Sequence, residues 1–468
     1  MSLFEEAQGF HKQGKFKEAI DAYLAALNDD FDDSRTLFFT GTCLYQMGHH
    51  GAAASFLARS LQSKPGDIDA LINLGACYRN ENNFTAADEI WTIARAIAKE
   101  RGIKSQESGA LTNLAGLRVH RGEYPEALTM FEEALAIDPA NDHGVANRAM
   151  AHLALGHWTE GWVGYDAHLM LNSRRERRYR DTPMWLGEPG KKVVVYGEQG
   201  VGDEIMFGSM VQDLMKVCSS VVFDCHPRLV KTWERSLGIA CYGTRKTSDI
   251  PWFDAEKPEA SVAIGSLGRH FRNSEAAFPG TPFLKADQST VLGHRAREAS
   301  RRRRIGISWK GGTKITGSPF RKVSLDELRP LFDAVDADWF SLQYTDGAIE
   351  EVGKFEERTS IRLRHYPSFV NPQDLSGLVD FVASLDLVIT VPTTVVHIAG
   401  ALGVPCMVLV PHEAAWRVTG NAAERREKMP WYNSIKLLHK TGSDWAPLIA
   451  MVAQSLANDR TATRIAAE

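Results

Sequence analysis

Long apolar runs are missing from this sequence. None reaches the roughly 18–20 positions that a membrane-spanning helix requires, so no span of that kind is expected in the 468 residues. Cysteine is scarce. The six present (Cys43, Cys77, Cys218, Cys225, Cys241, Cys406) form no C-x-x-C pair. They lie among apolar neighbours and read as reduced core residues of a cytoplasmic protein rather than a disulfide framework or a zinc site. Excess charge is missing too: a net charge of -4 offers no argument for a nucleic-acid partner. His120, His143, His152, His157 and His168 follow no metal-ligand spacing, and no metal or other cofactor is expected. The first fifteen residues read as the start of an amphipathic helix, without the basic-then-apolar order of a signal peptide. What remains is 44% hydrophobic and 24% charged, the balance of a soluble globular chain, and its length implies two to four domains.

What the sequence does have is repetition. Gly14, Phe16, Ala19, Tyr23 and Ala26 return 34 residues later as Gly48 and Ala53, with Pro65 closing the unit. They return again as Leu74, Gly75, Tyr78, Phe84, Ala87, Trp91 and Ala94. After a longer connection at 99–108 come Leu114, Gly122, Tyr124, Ala127, Phe131 and Ala134, and a last copy holds Gly156, Trp158, Gly161 and Tyr165. Period and residue types match the tetratricopeptide repeat, in which each unit is a helix hairpin that buries its apolar face only by stacking on its neighbours. About five units are expected over residues 1–170, as an all-α solenoid whose groove suits an extended peptide or another protein. A role confined to packing or to forming a homo-oligomer stays open.

A basic stretch at 174–180 and the turn residues at 185–190 mark a linker over 171–190. Beyond it the pattern changes to short apolar runs alternating with helical ones, the signature of α/β units. Residues 191–196 read as a buried strand leading into the glycine-rich turn 197–203 and then a helix over 204–217. The spacing Gly197, Gly200, Gly202 is neither the dinucleotide fingerprint nor a P-loop. It reads as a tight turn that carries Glu198 and Asp203 to the top of a sheet, with Gln199 in the same loop, where Gly200 and Gly202 let a ligand approach the backbone. A basic run at 295–304 separates this unit (191–300) from a second one (301–468) with a final helix to about residue 456. There residues 305–309 form a strand ending at Lys310, and 339–343 a strand ending on Gln343. Residues 385–390 form a third strand, whose turn is Val391-Pro392-Thr393-Thr394. Thr393 or Thr394 can cap a helix to about residue 402, with Gly403 as its left-handed end. Ligands in open α/β sheets bind at the carboxyl ends of strands, and helix N-termini there suit a phosphate. The pattern fits equally well if the threonines are caps and nothing more, His397 is a residue bonded within the core, and Gln343 is the end of a strand. Two Rossmann-like units facing one cleft form a GT-B arrangement.

The motifs over about 185–440 resemble glycosyltransferase family 9, the heptosyltransferase-like enzymes, and most of all members fused behind tetratricopeptide repeats. The resemblance rests on Tyr196–Ile205, on Gly306–Trp309, on Phe340–Gln343, on 385–405 with His397–Gly403, and on Trp416-Arg417 and Pro430–Tyr432. It implies a GT-B fold and inverting, metal-independent transfer of a hexosyl or heptosyl unit from a nucleotide sugar to a protein or glycan acceptor. It casts Asp203 as general base. Lys310, Thr393, Thr394, His397 and Gln343 become donor-binding residues, with the helix N-terminus receiving the diphosphate. Two segments depart from the family pattern. Pro392 stands where members commonly carry Asp, removing both a carboxylate and an N–H. Residues 310–313 read Lys-Gly-Gly-Thr in place of the usual Ser-Gly-Asn type of the repeat-fused members, with Lys310 still suited to a diphosphate. Two alternatives follow, a non-catalytic repeat scaffold with a degenerate GT-B domain and an O-GlcNAc-transferase-like enzyme.

Overall fold

The computed structural model describes residues 2–169, 178–245, 247–297, 300–312, 321–345, 347–371, 373–411, 415–418, 426–442 and 444–459. The chain divides into two compact units, Met1–Ala151 and His152–Glu468.

The first unit is helical: α1 (Leu3–Lys12), α2 (Phe16–Ala26), α3 (Ser34–Gln46), α4 (His50–Ser63), α5 (Ile68–Asn80), α6 (Phe84–Glu100), α7 (Lys104–His120) and α8 (Tyr124–Ile137), with α9 (Asp142–Leu155) containing the division. The turns between paired helices need a left-handed residue, which Gly14 (φ 73°), Gly48 (φ 82°) and Gly122 (φ 75°) supply. Close approach needs small residues. A methyl added to Gly75 would come 2.7 Å from Trp91 Cδ1, so α5 and α6 meet at this glycine. Trp91 itself is fully buried and donates its indole N–H to the Ile72 carbonyl at 3.0 Å. Trp91→Ala should therefore cost about 3–5 kcal/mol by loss of burial and an unfilled cavity, read as an earlier thermal transition of this unit by circular dichroism. A shift of less than about a degree or two would show that the stack closes over the gap.

The second unit opens with α10 (Trp158–Tyr165) and continues through β1 (Lys192–Tyr196), α11 (Val201–Gly208), α12 (Val211–Val217), β2 (Ser220–Asp224), α13 (Val230–Leu237), β3 (Cys241–Tyr242), α14 (Phe253–Glu256), β4 (Ala260–Ala263), α15 (Gly268–Phe271) and α16 (Gln288–Arg297). Then come β5 (Arg303–Ser308), α17 (Arg329–Ala334), β6 (Ala337–Ser341), α18 (Ala348–Thr359), β7 (Leu363–His365), α19 (Ser376–Ala383), β8 (Leu387–Thr390), α20 (Thr394–Leu402), β9 (Cys406–Val410), β10 (Lys428–Met429), β11 (Tyr432–His439) and α21 (Ala446–Asn458). The strands make two sheets, ordered β3-β2-β1-β4 and β10-β11-β9-β8-β5-β6-β7. Every pairing of these strands is parallel except β10 with β11. Parallel strands are buried on both faces, which is why β1 and β8 read as near-continuous apolar runs. Among the described residues no helix is long and apolar enough to cross a membrane.

Several expected boundaries move. The helix carrying Trp158, Gly161 and Tyr165, with the Gly156 turn before it, belongs to the second unit, not to a solenoid ending at 170. Its tryptophans anchor it there: Trp158 donates to Glu275 at 2.9 Å and Trp162 to the Arg272 carbonyl at 2.8 Å. The division between the α/β halves lies earlier than 300. Helix α16 packs on α19, with the His294 ring 5.3 Å from that of Phe381, and Phe283 N–H already bonds the Ala401 carbonyl at 2.9 Å. The helix expected over 204–217 is two, α11 and α12, broken beside Gly208, whose missing side chain admits the Trp233 ring. The linker at 171–177 and the loop at 313–320 lie outside the described residues.

Candidate functional site

In an open parallel sheet, a crevice forms where successive connections leave in opposite directions. The strand orders place one such point between β1 and β4 and another between β5 and β8. The turn after β1 carries Glu198, Gln199, Gly200, Gly202 and Asp203; the turns after β5 and β8 carry Lys310 and Thr393. The two crevices meet. A methyl added to Gly202 would come 2.8 Å from His397 Cδ2 and 3.5 Å from Thr394 Cα, so the first turn of α11 lies against the first turn of α20. Only glycine allows that approach.

Asp203 stands in the first turn of α11 and accepts from the Gly200 N–H at 3.1 Å. Its other oxygen forms an ion pair with Arg417, both side chains being less than one-fifth exposed. Glu198 does not reach the surface. Its carboxyl is buried, Tyr165 OH donates to it at 3.4 Å, and His168 lies 3.9 Å away. Burial pushes it up to about 7, despite the opposing pull of Arg245, and the neighbouring Asp203 adds to the rise. Gln199 is buried as well. Beneath them Glu204 is fully buried, paired with Arg245 at 2.6 Å and bonded to His226 N–H at 2.9 Å and Trp233 at 3.3 Å.

Across the cleft, Thr393 is the N-cap of α20, its hydroxyl accepting from Val395 N–H at 3.2 Å. Thr393 and Thr394 stay half-buried, and Gly403 closes the helix at φ 77°. Gly311 brings the Lys310 turn onto Thr393, since a methyl there would fall on the threonine side chain. The Lys310 ammonium pairs with Glu351, which also accepts from Trp309 Nε1 at 2.9 Å. Gln343 is buried, its Oε1 facing the N–H groups of Trp309 and Lys310 at 3.3 Å each and its Nε2 donating to the Lys310 carbonyl at 2.9 Å. It holds the Lys310 turn on the sheet. A cavity of about 220 Å³ bordered by Tyr344, Thr345, Glu350 and His365 opens just beyond it. His397 is buried against Tyr432, Nδ1 to hydroxyl 3.2 Å. Desolvation holds it down to about 4, with Arg417 and Arg321 adding to the fall and Asp203 opposing it.

Sequence pattern alone assigns no place in the site to Arg417, Arg321, Tyr432 or Tyr165. Arg417 and Tyr432 stand in recognised segments, so a signal exists for them; Arg321 follows a polar loop and carries none. Arg321 and Arg417 sit close enough that each depresses the proton affinity of His397, and burial with Arg417 nearby lowers that of Arg321. Among the described residues no group of three or more His, Cys, Asp or Glu side chains is placed to hold a metal.

Residues 4–68 and 67–140 each match the tetratricopeptide repeat family, so the N-terminal region carries these repeats. The chain is 25% identical over 497 aligned positions to Protein FlbA of Caulobacter vibrioides, with 95% of this chain and 82% of that protein covered. Similar solved structures include MamA, 20% identical over 35% of this chain and 92% of that one, TM-score 0.30. Another is a thermophilic tetratricopeptide-repeat protein of Thermus thermophilus, 14% identical over 36% of this chain and 89% of that one, TM-score 0.31.

Proposed function

We propose that the second unit is an inverting, metal-independent glycosyltransferase of GT-B type that uses a nucleotide-sugar donor in the cytoplasm, and that the repeats bind its protein or glycan acceptor. The supporting observation is the meeting of two sheet crevices at Gly202 and His397, with a carboxylate on one wall and cations with a helix N-terminus on the other. In the proposed reaction an acceptor oxygen bonds to the anomeric carbon as the bond from that carbon to the diphosphate breaks. Asp203 takes the acceptor's proton. The diphosphate leaves with added negative charge, held by Arg417, Arg321, Lys310 and the N–H groups at the start of α20. Donor binding frees Asp203, because a phosphate draws Arg417 from the carboxylate. The cavity beside Tyr344 and His365 takes the nucleoside.

A non-catalytic scaffold is the second reading, favoured by the Asp203–Arg417 pair and by Pro392 in place of a carboxylate. Thermal shift of the full chain with UDP, GDP, ADP and their sugars separates the two. A nucleotide at about 100 times its dissociation constant should add about 2.7 kcal/mol to the stability of the second unit. Where transfer is detected, Asp203→Asn should reduce turnover by roughly 10²-fold or more. No shift with any nucleotide favours the scaffold, and unchanged turnover removes Asp203 from the base role.

A further inference from the structure

Helix α10 precedes both sheets in sequence yet touches the cleft at two points. The Trp162 ring packs edge-on against that of Trp416 at 6.1 Å, and the Trp416 ring lies 5.4 Å from the Arg417 guanidinium. Three residues beyond Trp162, the Tyr165 hydroxyl accepts a hydrogen bond from Gln199 Nε2 and donates to Glu198 at 3.4 Å. With its NH2 engaged by Tyr165, the Gln199 amide presents its oxygen to Arg417, Nη2 to Oε1 3.2 Å. The same Nη2 pairs with Asp203. The Gln199 backbone cannot drift, because Arg245 bonds its carbonyl at 2.6 Å.

An amide is a donor on one side and an acceptor on the other, and its partners decide which way it faces. An amide turned over would put an N–H against a guanidinium, which has donors only. We propose that Tyr165 is a positioning residue: by orienting the Gln199 amide, its hydroxyl fixes Arg417 against Asp203, and so α10 is part of the cleft rather than a spacer before it. On the transferase reading above, this contact keeps the arginine at the mouth of the diphosphate site and decides when the carboxylate is uncovered. The coupling within the network does not depend on that reading.

The test uses the full-length protein and phenylglyoxal, which modifies accessible guanidinium groups, with the rate at Arg417 followed by peptide mass spectrometry. Tyr165→Phe keeps the ring and removes the hydroxyl; Gln199→Met keeps the length and removes the amide. Each should raise the Arg417 rate roughly tenfold, the weight of one hydrogen bond to a charged group. Gln199→Glu keeps an acceptor for Arg417 and should hold the rate at or below wild type, a rescue that a merely space-filling role would not produce. A Tyr165→Phe rate equal to wild type overturns the proposal, as does a Gln199→Glu rate matching Gln199→Met. If Tyr165→Phe fails to fold, a Gln199→Met rate equal to wild type still overturns the proposal, because the tyrosine acts on Arg417 only through that amide. GDP, UDP and ADP are then added to wild type. Protection of Arg417 by one of them supports the donor reading, while its absence with the variant effects intact rejects that reading and leaves the coupling standing.

Discussion

Replacing Glu198 by Gln makes the second unit more resistant to unfolding above about pH 7 and changes it little below pH 4.5. The buried carboxyl binds its proton up to about 7 in the folded chain, against an ordinary value of 4.5. Between those values the unfolded chain has released the proton and the folded chain has not, so stability falls as pH rises. The span corresponds to about 3 kcal/mol, which glutamine, never ionised, does not lose. His397 acts in the opposite sense. Held down to about 4 by burial and by Arg417 and Arg321, it stays neutral in the fold while the unfolded chain takes up a proton below 6.5. Its contribution is complete above 6.5 and is lost as pH falls through about 4. The size is again about 3 kcal/mol. From 4.5 to 6.5 the two slopes oppose and largely offset each other in the wild type. Each single variant then unmasks the other group. Glu198→Gln should gain stability with rising pH across this window, and His397→Gln should lose it, measured as urea midpoints at closely spaced pH values. Parallel profiles for the wild type and both variants would show that neither group titrates where the fold places it.

The second large effect concerns the support beneath the cleft. Arg245→Met leaves Glu204 buried without its cation, and breaking a buried pair from one side costs about 3–5 kcal/mol. Desolvation already raises the proton affinity of Glu204 despite Arg245, so the variant carboxyl protonates more readily still. The loss should therefore be smaller at about pH 5 than at about pH 8. Adding Glu204→Gln should recover part of it, because a neutral amide keeps bonds to His226 and Trp233 without a buried charge. Denaturant unfolding of the two variants at both pH values checks this. A loss below about 1 kcal/mol at the higher pH would mean that water reaches Glu204.

The repeats are the most legible part of the chain. Gly14, Gly48 and Gly122 are needed for left-handed turns and Gly75 for the approach of Trp91, so each helix pair writes its own requirement into nearby residues. The turn at Thr393 is legible for the same reason: strand end, cap, helix and the Gly403 terminus all follow one another closely in the chain. The expected roles of Gln343 and Glu198 read differently once their surroundings are visible. A polar residue at a strand end can face ligand or core, and only packing decides; here both are buried, one tying down the Lys310 turn and the other under Tyr165. Arg321 has no spacing to betray it, and Tyr165 looks like one more repeat aromatic.

The sequence alone determined the period of the helical repeats, the alternation of strands and helices after them, and the chemistry available at each strand end, because these depend on neighbours within a few turns of the chain. Only the tertiary structure decided that α10 belongs with the sheets, that Arg417 closes on Asp203, and that Gly202 lets two helix starts touch. Those contacts join residues up to more than two hundred positions apart, and burial, charge pairing and close approach across such distances leave no periodic trace in the chain.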